Sequence, residues 1–191
     1  LAAVSSLWAT KPNIVLILAD DMGLGDISCY ETGGLVKTPH LDQLASEGRR
    51  FLDAHTPSGV CTPTRYGLLT GRYAWRTRLK SRVLQGYSPP LIAPERETVA
   101  SLLRAEGYVT GIIGKWHLDF QYLNPETDIP YKQKEHQTPP VGATIPDGPI
   151  HRGFDYFHGF HHARNMEAVI EDNRVIEHDA VINMLPRLTR K

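Results

Sequence analysis

Cysteine is nearly absent from this chain. Its 191 residues include two, Cys29 and Cys61, too few for a disulfide framework. Long apolar runs are missing as well. Nothing approaches the roughly twenty residues that a membrane-spanning helix needs. Charge of one sign is also lacking: 21 Lys and Arg stand against 21 Asp and Glu. That balance argues against a nucleic-acid-binding surface, leaving only local segregation of charge. No internal repeat or low-complexity tract is evident. What remains is the composition of a globular α/β protein, long enough for one domain with a proper core.

The most informative run is Cys61-Thr62-Pro63-Thr64-Arg65, followed by Tyr66-Gly67-Leu68-Leu69-Thr70-Gly71-Arg72. It reads as a short helix. Thr62 suits the N-cap, and Pro63 suits the first helical position because it has no N–H to lose. Leu68 and Leu69 give an apolar face, and Gly71 can end the helix in a left-handed conformation. Cys61 is thus a potential nucleophile at a helix start, with Arg65 one turn in. Free N–H groups at such a terminus, together with a guanidinium, suit a tetrahedral oxyanion. A Cys29–Cys61 disulfide is the rival reading, and it would abolish the nucleophile.

Upstream, Asn13 to Ala19 is a continuous apolar run and predicts a central strand buried on both faces. It ends in Asp20-Asp21-Met22-Gly23-Leu24-Gly25-Asp26. Successive strand residues point to opposite faces, so both carboxylates reach one ion only if the chain turns. Gly23 and Gly25 permit that turn. Hard carboxylate oxygens suit Ca²⁺ or Mg²⁺.

Downstream lies Gly111-Ile112-Ile113-Gly114-Lys115-Trp116-His117-Leu118. Val109 to Ile113 predicts another buried strand, preceded by an amphipathic helix from Glu97 to Glu106 that stops at Gly107. If the extended conformation persists, Lys115 and His117 share a face. Lys can neutralise an anionic oxygen, and His can hold or deprotonate a hydroxyl near neutral pH. The last segment of interest runs from Gly148 to Phe160 and contains Gly153-Phe154-Asp155-Tyr156-Phe157-His158-Gly159. Its aromatics read as packing. His158, His161 and His162 do not have the spacing of a structural zinc site, and no Cys pair lies nearby, so they read as satisfied or exposed histidines.

Together these segments resemble the type I sulfatases of the alkaline phosphatase superfamily, over Lys11 to about Arg164. In that family the Cys of Cys-x-Pro-x-Arg is oxidised to formylglycine, whose hydrated aldehyde is the nucleophile. The resemblance implies this role for Cys61 and places Arg65, Lys115 and His117 with it as catalytic residues. It makes Asp20, Asp21 and the modified Cys61 ligands of Ca²⁺, with Mg²⁺ possible. The sequence departs from the family at Asp119, where Gly is usual, so the turn after His117 is expected to differ. One of His161, His162 or Ala163 should fall near a position that often contacts substrate. The implied partners are a sulfate ester, aryl or carbohydrate, and a formylglycine-generating enzyme during maturation. Two rival functions remain: a phosphonate or phosphodiester hydrolase of the same superfamily, and a non-catalytic module binding sulfated glycans.

The expected fold class is α/β, a mostly parallel central sheet flanked by helices, incomplete in this chain. Residues 1–10 read as a possible remnant of a signal peptide, which points to an exported protein. Residues 11–191 read as the N-terminal part of the catalytic domain. Thr38 to Gly48 predicts a Pro-started helix whose apolar residues Leu41, Leu44 and Ala45 share a face. Arg50 to Ala54 predicts a strand, Tyr122 to Pro146 a long loop, and Glu177 to Leu188 the start of a helix. In open α/β sheets ligands bind beyond the carboxyl ends of the strands, where the aspartates and the Lys-His pair are placed.

Overall fold

The computed structural model describes residues 11–31, 36–86, 88–130, 138–162 and 168–178. Two compact units divide the chain, Leu1–Asp53 and Ala54–Lys191, and each is described by itself.

In the first unit the helix expected after Thr38 is present as α1, Pro39–Glu47, and Gly48 closes it by donating its N–H to Leu44 O at 2.9 Å. Its entry is held by a polar clasp. Asp42 Oδ2 accepts from Ser28 Oγ at 2.6 Å, while Oδ1 accepts from Cys29 N at 2.8 Å and from Thr38 Oγ1 at 3.1 Å. The Ser28 hydroxyl, aided by Thr38 and the Cys29 N–H, holds the Asp42 carboxyl below its ordinary pKa. The apolar face of α1 is not buried here: Leu41 and Leu44 are both exposed. The run Asn13 to Ala19 corrects the expectation of a buried central strand. It pairs with no strand among the described residues, and Val15 and Ile17 are 83% and 85% exposed. A strand exists through ladder bonds to a neighbour, and apolar residues alone do not supply them. The expected turn is present at Asp20 and Asp21, and a single 3₁₀ turn follows at Leu24–Asp26. Arg50 to Ala54 forms no strand either.

The second unit carries the sheet. Helix α2 spans Cys61–Thr70 and α3 spans Val99–Ala105. Strands β1 (Gly111–Lys115), β2 (Tyr156–Phe160), β3 (Ala168–Glu171) and β4 (Arg174–His178) lie in the order β1-β2-β3-β4. The α/β class holds. Among the described residues, however, only β1 and β2 are parallel; β2–β3 and β3–β4 are antiparallel. The reason is local: Asp172 and Asn173 form a tight turn that sends β4 back along β3, whereas the long connection from β1 to β2 permits a parallel return. Strand β1 begins two residues later than expected and runs on to Lys115. Glu177 and His178 belong to β4, not to a helix, and the rest of that predicted helix lies outside the described residues.

Phe157, Ile170 and Val175 are fully buried on the sheet and pack with Leu118, Ala143, Ile145 and Ile92. Two of these, Ala143 and Ile145, come from the segment read as a long loop. Its described residues form no helix or strand, but isolated bridges from Leu123 to Pro130 and to Thr144 fold them into the core with Tyr122. One glycine is required by the parallel pair. Gly159 faces Gly114, and a Cβ on Gly159 would sit 1.9 Å from Gly114 O. Thr98 caps α3 by accepting from Ser101 N at 3.1 Å, and its hydroxyl also donates to Arg152 O at 2.7 Å.

Candidate active site

Helix α2 starts two residues before the position its caps suggested. Val60 is the N-cap and Cys61 the first helical residue. Thr62 and Pro63 therefore sit inside the first turn. Thr62 is buried and spends its hydroxyl elsewhere, accepting from Leu84 N at 3.3 Å. Thr64 closes the entry by donating to Ser58 O at 2.6 Å. Gly71 ends the helix as expected, at φ 65° and ψ 15°, with its N–H on Gly67 O at 2.8 Å. Cys61 is half-buried, and both cysteines are free thiols in this structure.

Arg65, one turn into α2, donates from Nη1 to the carbonyl oxygen of Lys115, the last residue of β1. The first turn of the helix is thereby tied to the carboxyl end of a strand, the edge where open α/β sheets bind ligands. A second tie runs through Leu84. Its N–H goes to Thr62, and its carbonyl lies 3.0 Å from His117 Nε2. A carbonyl can only accept, so Nε2 carries the proton and the neutral ring keeps its lone pair on Nδ1. His117 Nδ1 is buried and has no hydrogen-bond partner among the described residues. Burial holds the His117 pKa below its ordinary value. Lys115 adds to that shift, while the Leu84 carbonyl and Asp119 oppose it.

Extended backbone does not persist past β1. His117 and Asp119 both take left-handed conformations, at φ 55° and 56°, so the alternation that would put Lys115 and His117 on one face is broken. The departure at Asp119 has a clear consequence. This residue is fully buried in a conformation that favours glycine and that Asp tolerates. Its Oδ2 accepts from the backbone N–H of Ser88 at 3.2 Å and from the Ser88 hydroxyl. Its Oδ1 stands 3.2 Å from His161 Nε2, near enough for charge pairing but off the line of a good hydrogen bond. Burial alone would raise the Asp119 pKa. The contacts with His161 and Ser88 outweigh it and leave the carboxyl below its ordinary value.

His161 and His162 are both buried, so of the two alternatives, satisfied or exposed, exposure does not hold for them. His161 stacks on Phe120 with ring centroids 4.1 Å apart. His162 lies against His117 at 5.5 Å and against Gly86, where a Cβ would meet its ring at 2.0 Å. The backbone repeats the link, with His117 N donating to His161 O at 2.7 Å. Ala163 lies outside the described residues. Among the described residues no three His, Cys, Asp or Glu side chains gather as a metal site.

The structure thus brings Arg65, Lys115 and His117 together where α2 meets the end of β1. It sets Asp20 and Asp21 side by side, both exposed, on a turn of the first unit. Leu84, Ser88 and His161 were not legible beforehand as partners. Asp119 was marked only by its departure from glycine.

A cysteine-headed helix at the carboxyl edge of an α/β sheet places free N–H groups where such folds bind anions. The comparisons narrow this. The sulfatase family model matches residues 12–182, and the chain belongs to the sulfatase family. It is 47% identical over 108 residues to an N-acetylgalactosamine-6-O-sulfatase of Bacteroides thetaiotaomicron, covering 56% of this chain and 21% of that protein. It is 43% identical over 151 residues to human arylsulfatase A, covering 79% of this chain and 25% of the relative. Among solved structures, one from a study of glycosaminoglycan metabolism by Bacteroides thetaiotaomicron superposes with a TM-score of 0.70 at 35% identity. It covers 88% of this chain and 32% of that one. The chain therefore spans about a fifth to a quarter of the length of these curated relatives.

Proposed function

We propose that the protein to which this chain belongs hydrolyses sulfate esters, with formylglycine made from Cys61 as nucleophile. The observation that carries the reading is Cys61 at the first position of α2, with Arg65 tied to the end of β1. The hydrated aldehyde supplies two hydroxyls on one carbon, one to displace the alcohol from sulfur and one whose proton is lost as sulfate departs. Arg65 holds the nucleophile end and offsets its developing charge. Lys115 takes a sulfate oxygen. His117 presents a basic Nδ1 lone pair, held in that tautomer by the Leu84 carbonyl, and is suited to orient or accept a hydroxyl proton.

Asp20 and Asp21 fit a divalent cation by the chemistry of the donor set: two hard, exposed carboxylates adjacent on a turn. They would hold Ca²⁺, or Mg²⁺, which would supply charge stabilisation for the sulfate oxygens. Two aspartates and one nucleophile oxygen fall short of the six to eight oxygens Ca²⁺ takes, so other groups complete the shell. A formylglycine-generating enzyme is the implied maturation partner. Export to an oxidising compartment is consistent with the family, and among the described residues no helix is long and apolar enough to cross a membrane.

The test uses the full-length protein co-expressed with a formylglycine-generating enzyme. Mass analysis of the peptide containing Cys61 should show the thiol converted to aldehyde, and aryl sulfate should be turned over well ahead of aryl phosphodiester. Cys61→Ala should remove activity and leave the fold nearly intact. A peptide with only unmodified thiol, or a preference for the phosphodiester, would sink the proposal.

A further inference from the structure

Formal charge balances over the whole chain but not along it. Between Asp53 and Glu95 there is no acidic residue, while six cations, Arg65, Arg72, Arg76, Arg78, Lys80 and Arg82, fall in that interval. Arg65 is committed to the end of β1. The other five cluster just after α2, around a 3₁₀ turn at Ala74–Arg76.

That turn is firmly built. Ala74 is buried and Leu79 packs on the core. Thr77 donates from its backbone N–H to Ala74 O at 2.9 Å and from its hydroxyl at 2.6 Å, and Thr77 Oγ1 accepts from Leu79 N at 3.1 Å. The residues on either side of Ala74 are exposed. Tyr73 and Trp75 are 54% and 57% exposed, and their rings stack 17° from parallel with centroids 5.8 Å apart. Two cations converge on the same spot. The Arg76 guanidinium lies 5.9 Å from the Trp75 ring centroid, and Lys80 Nζ donates to Trp75 O at 3.0 Å. Arg78 braces the segment from behind through Ser88 Oγ, at 3.1 Å, and Pro89 O. None of the five forms an ion pair with a carboxylate among the described residues.

An exposed apolar stack would ordinarily be hidden, and unpaired cations around it repel one another. Both costs fall if a polyanion with flat apolar faces lies across them. We propose that Tyr73, Trp75, Arg76 and Lys80 form a binding surface for a sulfated polysaccharide, separate from the residues assigned to hydrolysis. A sugar ring offers a C–H face to the aromatic pair, and its sulfate groups meet the guanidinium and ammonium. The choice of a sulfated glycan as the anion rests on the sulfate-ester reading above. Nucleic acid fits less well: Tyr73 and Trp75 already occupy one face of each other, which leaves no slot between them for a base. The surface would hold a polymer chain while its esters are presented one after another.

The experiment measures binding to the full-length protein carrying Cys61→Ala, which separates retention from turnover. The probes are a sulfated galactosaminoglycan octasaccharide, its desulfated counterpart and a single-stranded oligonucleotide of equal charge. The sulfated octasaccharide should bind, and the other two at least tenfold more weakly. Arg76→Gln with Lys80→Gln should lower its affinity tenfold or more and flatten the salt dependence. Trp75→Ala should lower it several-fold with the salt dependence unchanged. Should Trp75→Ala fail to fold, the double charge variant at exposed positions decides. Affinity within twofold of the parent in that variant, or equal binding of the desulfated or oligonucleotide probe, overturns the proposal. Turnover is read separately on the parent protein with Cys61 converted: binding by the Cys61→Ala variant with no sulfate-ester turnover by that parent would fault the hydrolase reading and leave this one standing, and turnover by the parent without binding by the variant would do the reverse.

Discussion

Asn13 to Ala19 and Val109 to Lys115 carry nearly the same message as sequence, β-branched and apolar residues leading to polar ones. Their fates differ. The second forms β1, paired in register with β2 from Gly111↔Tyr156 to Lys115↔Phe160. The first has no ladder among the described residues and exposes Ile14, Val15, Leu16 and Ile17. The lesson is that hydrophobic pattern proposes a strand and a partner makes one. β1 has Tyr156–Phe160 to bond with, and Gly159 is small enough to let the two backbones close.

The sharpest test of this contrast is a matched pair of truncations in the 191-residue chain. Phe157→Ala, at a fully buried site of β2, should cost about 3–5 kcal/mol in denaturant unfolding. Ile17→Ala, on the unpaired run, should change stability by less than about 0.5 kcal/mol. Equal losses would mean that the apolar run has found a partner.

A smaller effect is expected where the turn beyond β1 is pinned. Asp119→Ala removes a buried carboxylate from Ser88 and His161 and should cost about 3 kcal/mol. It should also move His117: loosening the segment at Ser88 frees the Leu84 carbonyl, and NMR of the imidazole should show the Nε2–H tautomer losing dominance. Retention of that tautomer would show that Leu84 is held without Asp119. Smaller again is Gly159→Ala. The added methyl meets Gly114 O and should cost about 2 kcal/mol by forcing β1 and β2 apart. An unchanged melting temperature would break the argument that this close approach makes β1 a strand.

The mildest expectation concerns pH. His117 has a lowered folded pKa, so the unfolded chain binds its proton more readily. Its contribution to stability is present above about pH 6.5 and is lost as pH falls below that value. Asp119, also lowered, adds loss in the same direction at still lower pH, through and below the ordinary carboxylate range. Thermal melts should therefore show stability of the second unit declining from about pH 6.5 downward. A His117→Gln variant that declines identically over pH 5–6.5 would remove His117 from the account.

Much of the local structure was readable before any coordinates. Pro39 and Gly48 bound α1, Gly71 ends α2, Gly107 follows the end of α3, and the turn expected at Asp20-Asp21 is present; the start of α3, capped by Thr98 and two residues past the expected Glu97, was not readable. Cys61, Arg65, Lys115 and His117 were readable as candidates through their motifs. Helix ends and tight turns are settled by bonds between residues three or four apart, so a short window of sequence contains both partners. The remainder depended on partners far along the chain. Arg65 reaches Lys115 across fifty residues, Ser88 reaches Asp119 across thirty-one, and β1 waits for β2. Burial of Asp119 and His161, the tautomer of His117 and the lack of a ladder for Asn13 to Ala19 among the described residues are decided by which distant groups arrive, and only the tertiary structure brings those groups within bonding distance.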